Sequence, residues 1–381
     1  MTALASRAAT TTETDWAALA RELGAGLKPE AAERDRAGEI SAEAFETLRA
    51  AGITAALVPP EFGGGGASHA EMGEILRVLG RCDPATAVTL SMHAHLVATQ
   101  VWRHRHGMDA AAVFQKVVRD RAILISTGAS DWVGSSGSAR RVDGGFRVSA
   151  RKAPASGCEV GHLLVTSVRW GDAPEGPTVL HCSVPFSADG VRIEKTWNTL
   201  GLRATGSHTV VLEDVFVPDA AVTLTRPADQ WHPIWNVILG SAMPLIMSAY
   251  LGMADEAVEL ARAAVSKRSE PPVFQLLGEM LNAHTTAADV VAAMFHDSDD
   301  LRFPNTDEHA SRTLSRKTVA TEALIDTVRL ALEVTGGAGY MRSSAIERLY
   351  RDVHGCLFHP LPRAKQTQFT GRVALGLSPV A

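Results

Sequence analysis

From Asp15 to about Asp120, alanine, leucine and glutamate recur at helical spacing, as across Phe45, Leu48, Arg49 and Ile53,. The stretch VPPEFGGGG, Val58 to Gly66, interrupts that period,. From Ala122 to about Val217 the period shortens. AILIST, GGFRVSA, HLLVTSV, TVLHCSV, VRIEKTW and HTVVLEDVFV are β-rich runs separated by Asp-Gly, Gly-Gly and Pro-Glu-Gly turns,. Strand runs with no helix between them predict an antiparallel sheet or barrel. Beyond Pro233, WNVILGSAMPLIMSAYLGMADEAVELARAAVSKR, VFQLLGEMLNAHTTAADVVAAMF and LSRKTVATEALIDTVRLALEVTG predict three long helices,. The last segment supplies a fourth for an antiparallel bundle. The expectation is an α+β chain: an N-terminal helical domain over 13–120, a middle antiparallel β-barrel domain over 121–225 and a C-terminal four-helix bundle over 226–381.

Composition narrows the classes. With 46% hydrophobic and 21% charged residues among 381, the chain can bury a large core,. Its net charge of −5, with acids interspersed among bases, offers no extended basic face and argues against nucleic acid,. Cys82, Cys158, Cys182 and Cys356 lie far apart without metal-ligand spacing, so neither a disulfide framework nor a zinc site is indicated,. A cytoplasmic location fits. Met1 to Thr12 is polar, lacks the apolar centre of a signal peptide and reads as a frayed tail, and no apolar run approaches the roughly 20 residues of a membrane span,.

The segment RDVHGCLFHPLPRAKQTQF, Arg351 to Phe369, runs like a helix and then cannot continue. Pro360 and Pro362 each lack a backbone donor and collide with the preceding turn, so the chain breaks beside His359,. A second histidine group lies in SMHAHLVATQVWRHRHG, Ser91 to Gly107. His93 and His95 are two apart and face different directions on a helix, without the four-residue spacing of a helical zinc pair, so no metal is assigned. His104 and His106, near the helix end, face solvent or the negative end of the dipole.

Three stretches carry a family resemblance. They are LGLRATGSHTVVLEDVFVP (Leu200 to Pro218), EVTGGAGYMRSSAIERLYRD (Glu333 to Asp352) and, more weakly, VDGGFRVSARKAPASG. With them the chain resembles the acyl-CoA dehydrogenase superfamily of flavoproteins over nearly its whole length. The resemblance implies a flavin cofactor, FAD with FMN as the alternative, and a homo-oligomer, a tetramer or at least a dimer. It places the hydroxyl of Ser156 beside the flavin ring, with Pro154 where relatives carry an aromatic residue. Ser130 and Asp131 match the Ser-Asp of a phosphate-touching loop. Gly336, Gly337 and Gly339 match a turn where a neighbouring subunit's backbone approaches the cofactor, which glycine permits. Arg268 and Gln275, in the degraded clamp RSEPPVF, and Gln366 complete the candidate cofactor contacts. The helix bearing His93 and His95 lines the substrate cavity in the family, and GGGG reads as a flexible turn over it.

The base is missing. An acyl-CoA dehydrogenase needs a carboxylate to take the proton α to the thioester. At the two places where relatives keep that glutamate, this chain offers Pro360, next to His359, and Trp235 or Asn236, which are candidate substrate contacts. A second branch of the same fold resembles CLFHPLP and APASGC more closely: the two-component flavin monooxygenases, which take reduced flavin from a partner reductase. An imidazole suits proton transfer near neutral pH, which makes His359 the candidate catalytic residue. Three readings follow: a monooxygenase acting on a small metabolite, an acyl dehydrogenase with an unconventional base, and a catalytically idle scaffold.

Overall fold

The computed structural model describes residues 14–268 and 270–380; the expected tail, Met1 to Thr12, lies outside them. Six helices come first: α1 (Trp16–Leu27), α2 (Ala31–Ala37), α3 (Ala42–Ala50), α4 (His69–Cys82), α5 (Pro84–Arg105) and α6 (Ala111–Val118). Their boundaries follow capping chemistry. Ser68 and Glu71 form a capping box at α4, and Asp83 accepts from the Thr86 N–H at 3.3 Å to start α5, with Pro84 in the first turn,. Eight strands follow: β1 (Leu124–Ser126), β2 (Ser138–Val142), β3 (Gly145–Ala155), β4 (Leu163–Trp170), β5 (Thr178–Pro185), β6 (Val191–Glu194), β7 (His208–Pro218) and β8 (Val222–Pro227).

The strands form two four-stranded sheets, β1-β4-β5-β8 and β2-β3-β7-β6, in place of the expected barrel. All pairings are antiparallel except β1 with β4. β1 arrives from the helical domain and runs alongside β4, which is why the purely antiparallel expectation fails there. β2 and β8 were not foreseen, because SARRV and VTLTRP carry little apolar alternation. In β3 the burial alternates strictly from Phe146 to Lys152, and the ladder with β7 loses register between Lys152 and Ala155. Pro154, which has no N–H to give, sits in that gap, and pairing resumes at Ala155 opposite His208,.

The C-terminal region contains α7 (Ile234–Val265), α8 (Pro271–Ser298) and α9 (Asp307–Thr335). The expected fourth helix is two short ones, α10 (Ala345–Val353) and α11 (Arg363–Ala374), broken at the prolines. Both are anchored. Arg351 of α10 binds the Asp35 carboxylate at 2.6 and 3.1 Å, and Asp352 accepts from the Leu202 N–H at 2.6 Å. Gln366 of α11 accepts from Thr318 on α9 at 2.9 Å. The 358–362 turn is therefore stretched between two fixed ends.

α7 is long and apolar enough to cross a membrane, contrary to the reading that no run approaches that length, but almost all of its apolar window is buried inside the fold. It crosses α4 at very close range. A Cβ on Gly80 would collide with the Ala249 carbonyl, and one on Gly252 with the Arg77 carbonyl. The GGGG turn is also packed: Gly64 abuts Val58 and Gly65 abuts the Trp16 ring. It does not line the cavity described below, which corrects its expected role as a flexible cover.

The α4–α7 crossing makes a prediction. Gly80→Val or Gly252→Val is expected to destabilise the chain by about 1–3 kcal/mol through overpacking. The readout is a lower urea midpoint; a midpoint equal to that of the parent protein would remove the crossing from the account.

Candidate functional site

A cavity of about 490 Å³ lies where the helical region, the sheets and the C-terminal turn meet. Its walls differ in character. One is apolar and comes from Met92 and Leu96 of α5 and from Ile238, Ala242, Met243 and Ile246 of α7. These α7 positions recur every three or four residues, and the same stripe begins at Trp235 and continues to Tyr250. The other wall is a row of hydroxyls: Ser126 at the end of β1, Thr127 and Ser130 from the loop after it, Ser156 beyond β3, and Thr166 and Ser167 of β4. The turn from Phe358 to Pro362 closes one side, with Lys365 beside it.

Of the sequence candidates, Ser130, Ser156, His95, Trp235 and His359 line this cavity. Ser156 accepts from the Ser207 hydroxyl at 2.8 Å. His95 Nδ1–H donates to the Ser91 carbonyl at 3.1 Å, which leaves Nε2 as the ring's acceptor. Trp235 stacks on Trp132 at 4.8 Å, and its buried Nε1–H has no partner among the described residues. His359 Nε2 and the Tyr250 hydroxyl lie 2.8 Å apart.

Other candidates are spent elsewhere. His93 Nε2–H donates to the Thr54 carbonyl at 2.8 Å and Nδ1 accepts from the Leu124 N–H at 3.0 Å, so one nitrogen ties α5 to the turn after α3, the other ties it to β1, and no substrate contact remains. Asn236 donates to Asp307 at 2.8 Å and accepts from the Trp231 indole at 3.1 Å, which makes it a brace within the bundle. Gln366 is buried, and its amide is satisfied by Thr318 and Thr370 at 2.9 Å each, which removes it as a cofactor contact. Arg268 and Gln275 do not line this chain's cavity; they bond Glu270 and Glu279 on the surface. Gly336 and Gly337 also stand away from it, exposed, with nothing within 4 Å of a built Cβ. Of the two end-of-helix histidines, His104 meets Glu61 at 3.2 Å and His106 donates back to the Trp102 carbonyl at 2.7 Å.

The cavity's electrostatics turn on Asp131, the sole acidic side chain among its described lining residues. Its Oδ2 accepts from Lys152 at 2.6 Å and its Oδ1 from the Ser136 N–H at 2.8 Å. Lys152 and Asp131 are both buried and both carboxylate oxygens are bonded, so neither is free to act as a base. Burial lowers the Lys152 pKa, while Asp131 pulls it back up. His359 itself departs from the expectation of an imidazole titrating near neutrality. Burial, then the charge of Lys317 and proximity to His95, push it down to about 3. The resting ring is neutral, and its work is hydrogen bonding.

Sequence reasoning missed five residues here: Tyr250, Lys317, His181, Arg226 and Trp132. His181 lines the cavity and accepts from Arg226 at 3.0 Å. None of the five lies in a stretch that carried a chemical signal, whereas Lys152, also unassigned, lay within VDGGFRVSARKAPASG.

The donor set fits a flavin. A flat ring system with one acceptor-rich edge matches a slot that has an apolar face, a row of hydroxyls and an unpaired indole N–H. The backbone at Gly128 is equally constrained, because a Cβ there would press on Pro154 at 3.3 Å.

The N-terminal domain model of acyl-CoA dehydrogenase matches residues 10–110, and the C-terminal domain model matches residues 238–356. YdbM of Bacillus subtilis, provisionally named an acyl-CoA dehydrogenase, is 29% identical over 354 residues, 87% of this chain and 88% of that protein. A dibenzothiophene monooxygenase of Mycolicibacterium goodii is 25% identical, covering 90% and 89% of the two chains. KijD3, solved in complex with FMN and a dTDP-linked amino sugar, superposes with a TM-score of 0.84 at 25% identity, covering 96% of this chain and 95% of the other.

Two predictions arise from the site. Lys152→Met leaves Asp131 buried and uncompensated and is expected to cost about 3–5 kcal/mol, most of it recovered in Lys152→Met/Asp131→Leu; urea midpoints of both variants decide. Six histidines whose pKa burial lowers also set acid stability. Burial lowers His69, His93, His95 and His309 to about 4 and His181 and His359 to about 3, from 6.5. The unfolded chain binds those protons first, so stability falls as pH drops from about 6.5 to about 4. A urea midpoint at pH 5 equal to or above that at pH 7 would contradict this.

Proposed function

The chain belongs to the acyl-CoA dehydrogenase family, and we propose that within it the protein is a flavin-dependent monooxygenase acting on a small apolar metabolite. The carrying observation is the absence of a free carboxylate among the cavity's described lining residues, with His359 standing in the turn where a base would be needed. An α-proton of an acyl thioester has no acceptor there, which disfavours dehydrogenation.

Ser130, Ser156 and the Trp235 N–H are the groups that would hold the flavin. When bound and reduced, it supplies the two electrons and oxygen chemistry of a hydroxylation. The chain's own contribution is orientation and dryness. Tyr250 is kept protonated by burial, donates to His359 Nε2 and leaves the neutral ring's proton on Nδ1. That N–H is a fixed donor for a ligand in the cavity, and the ring gives it without carrying charge. The α5 and α7 wall fits an apolar body better than a nucleotide or sugar.

A separate flavin reductase and a second copy of the chain are the partners this reading implies. Support for the second copy comes from α8, where Phe274, Gly278 and Leu281 share one exposed stripe, and from the open glycines at 336–337,. Arg268 and Gln275 would then meet a neighbour's cofactor.

His359→Ala is expected to stay folded, with about 1–3 kcal/mol lost from the orphaned Tyr250 hydroxyl,, and to lose about 10²-fold or more in turnover. The reading also requires oxidation that depends on a reductase and oxygen. Bleaching of bound FAD by acyl-CoA without oxygen would reverse it in favour of dehydrogenation.

A further inference from the structure

Lys317 stands out among the charged groups that the reading above leaves unused. It lies on α9, 2% exposed, directly beneath the turn that carries His359. Its ammonium donates to the Leu361 carbonyl at 3.5 Å, and among the described residues no carboxylate pairs with it. A buried lysine without a counter-ion is costly, and replacement by an apolar residue of similar shape removes that cost. Nothing in the bundle's packing calls for a charge at this position.

We propose that Lys317 is a positioning residue, whose ammonium holds the Leu361 carbonyl and thereby fixes the 358–362 turn so that His359 stays neutral and bonded to Tyr250. Lys317 acts through His359 and does not itself touch the ligand. The turn needs such a hold, because its two prolines donate no backbone hydrogen bonds of their own. The inference rests on the reading of His359 as the working imidazole, but its test needs neither flavin nor turnover.

Besides Lys365 of α11, which stands beside the turn, the groups facing this pair are few. His95 from α5 and Tyr250 from α7 approach His359; Cys356, after α10, approaches Lys317 and Tyr250; and Asp352 acts on Tyr250. Burial pushes Cys356 up to about 12, so it stays a thiol. Burial brings Lys317 down to about 8 and raises Asp352 to about 7. Above about pH 8, then, the turn loses its charged donor.

The experiment is an NMR titration of the histidine ring signals in the flavin-free, full-length protein, with the His359 signal identified by its loss in His359→Gln. The expected result is an inflection of the His359 signal near pH 8, far from its own protonation. It should vanish in Lys317→Met and in Lys317→Arg, since one side chain carries no charge and the other keeps it throughout the range. Asp352→Asn should leave it in place. The arginine variant, which retains a buried cation, serves if the methionine variant does not fold. No inflection in the parent protein, persistence of the inflection in either Lys317 variant, or its loss in Asp352→Asn alone would each overturn the proposal. A pH profile adds a second readout: the alkaline limb of turnover near pH 8 should move upward in Lys317→Arg. A merely structural role would lower stability without moving that limb or the ring signal.

Discussion

The ion pair between Asp131 and Lys152 is the constraint on which the cavity depends. Lys152 points inward from β3, at the last buried position before the ladder slips, and is almost wholly removed from solvent. A buried ammonium there requires a carboxylate, and Asp131 supplies it at 2.6 Å,. That pins the loop after β1 to β3 and places Ser130 and Ser156 on one wall. The same bond consumes the cavity's acid. Arg226 reinforces the arrangement by donating to the Val133 carbonyl at 2.8 Å and the Asp131 carbonyl at 3.3 Å. Structural anchoring and the lack of a base are thus one fact, and proton handling passes to neutral imidazoles and hydroxyls.

The large architecture was legible because it is written in periods. Helical spacing, then strand runs, then long apolar helices survive any ambiguity about individual residues, and the prolines at 360 and 362 announced the break that splits α10 from α11,. What a side chain does once buried was less legible. His93 and His95 are indistinguishable by spacing, yet one spends both nitrogens on backbone groups and the other keeps an acceptor. Asn236 and Trp235 are neighbours, but a helix sends them to different faces: the amide into the bundle toward Asp307, the indole to the cavity wall,. Tyr250 gave no signal at all within an apolar run. Its partner is 109 residues away, and only tertiary closure of the turn onto α7 reveals the pair.

The histidines of the cavity share one electrostatic logic. His181 has Arg226 beside it and His359 has Lys317 behind it, and in each case the neighbouring cation adds to burial in holding the ring neutral. Each ring also meets a partner that spends one nitrogen: the Ser91 carbonyl for His95, Arg226 for His181 and Tyr250 for His359. A neutral imidazole in a dry pocket is a donor on one side and an acceptor on the other, with little freedom to exchange the two. Around these rings stand Lys152, Arg226, Lys317 and Lys365, against one acid that is already paired. Developing positive charge in the cavity is therefore opposed twice, by burial and by its neighbours, whereas developing negative charge meets cations that low dielectric makes effective. A dehydrogenase that generates its enolate with a protein carboxylate would need the opposite balance at its base. An oxidation in which negative charge collects on the cofactor side, with neutral donors orienting the substrate, matches the balance these residues set.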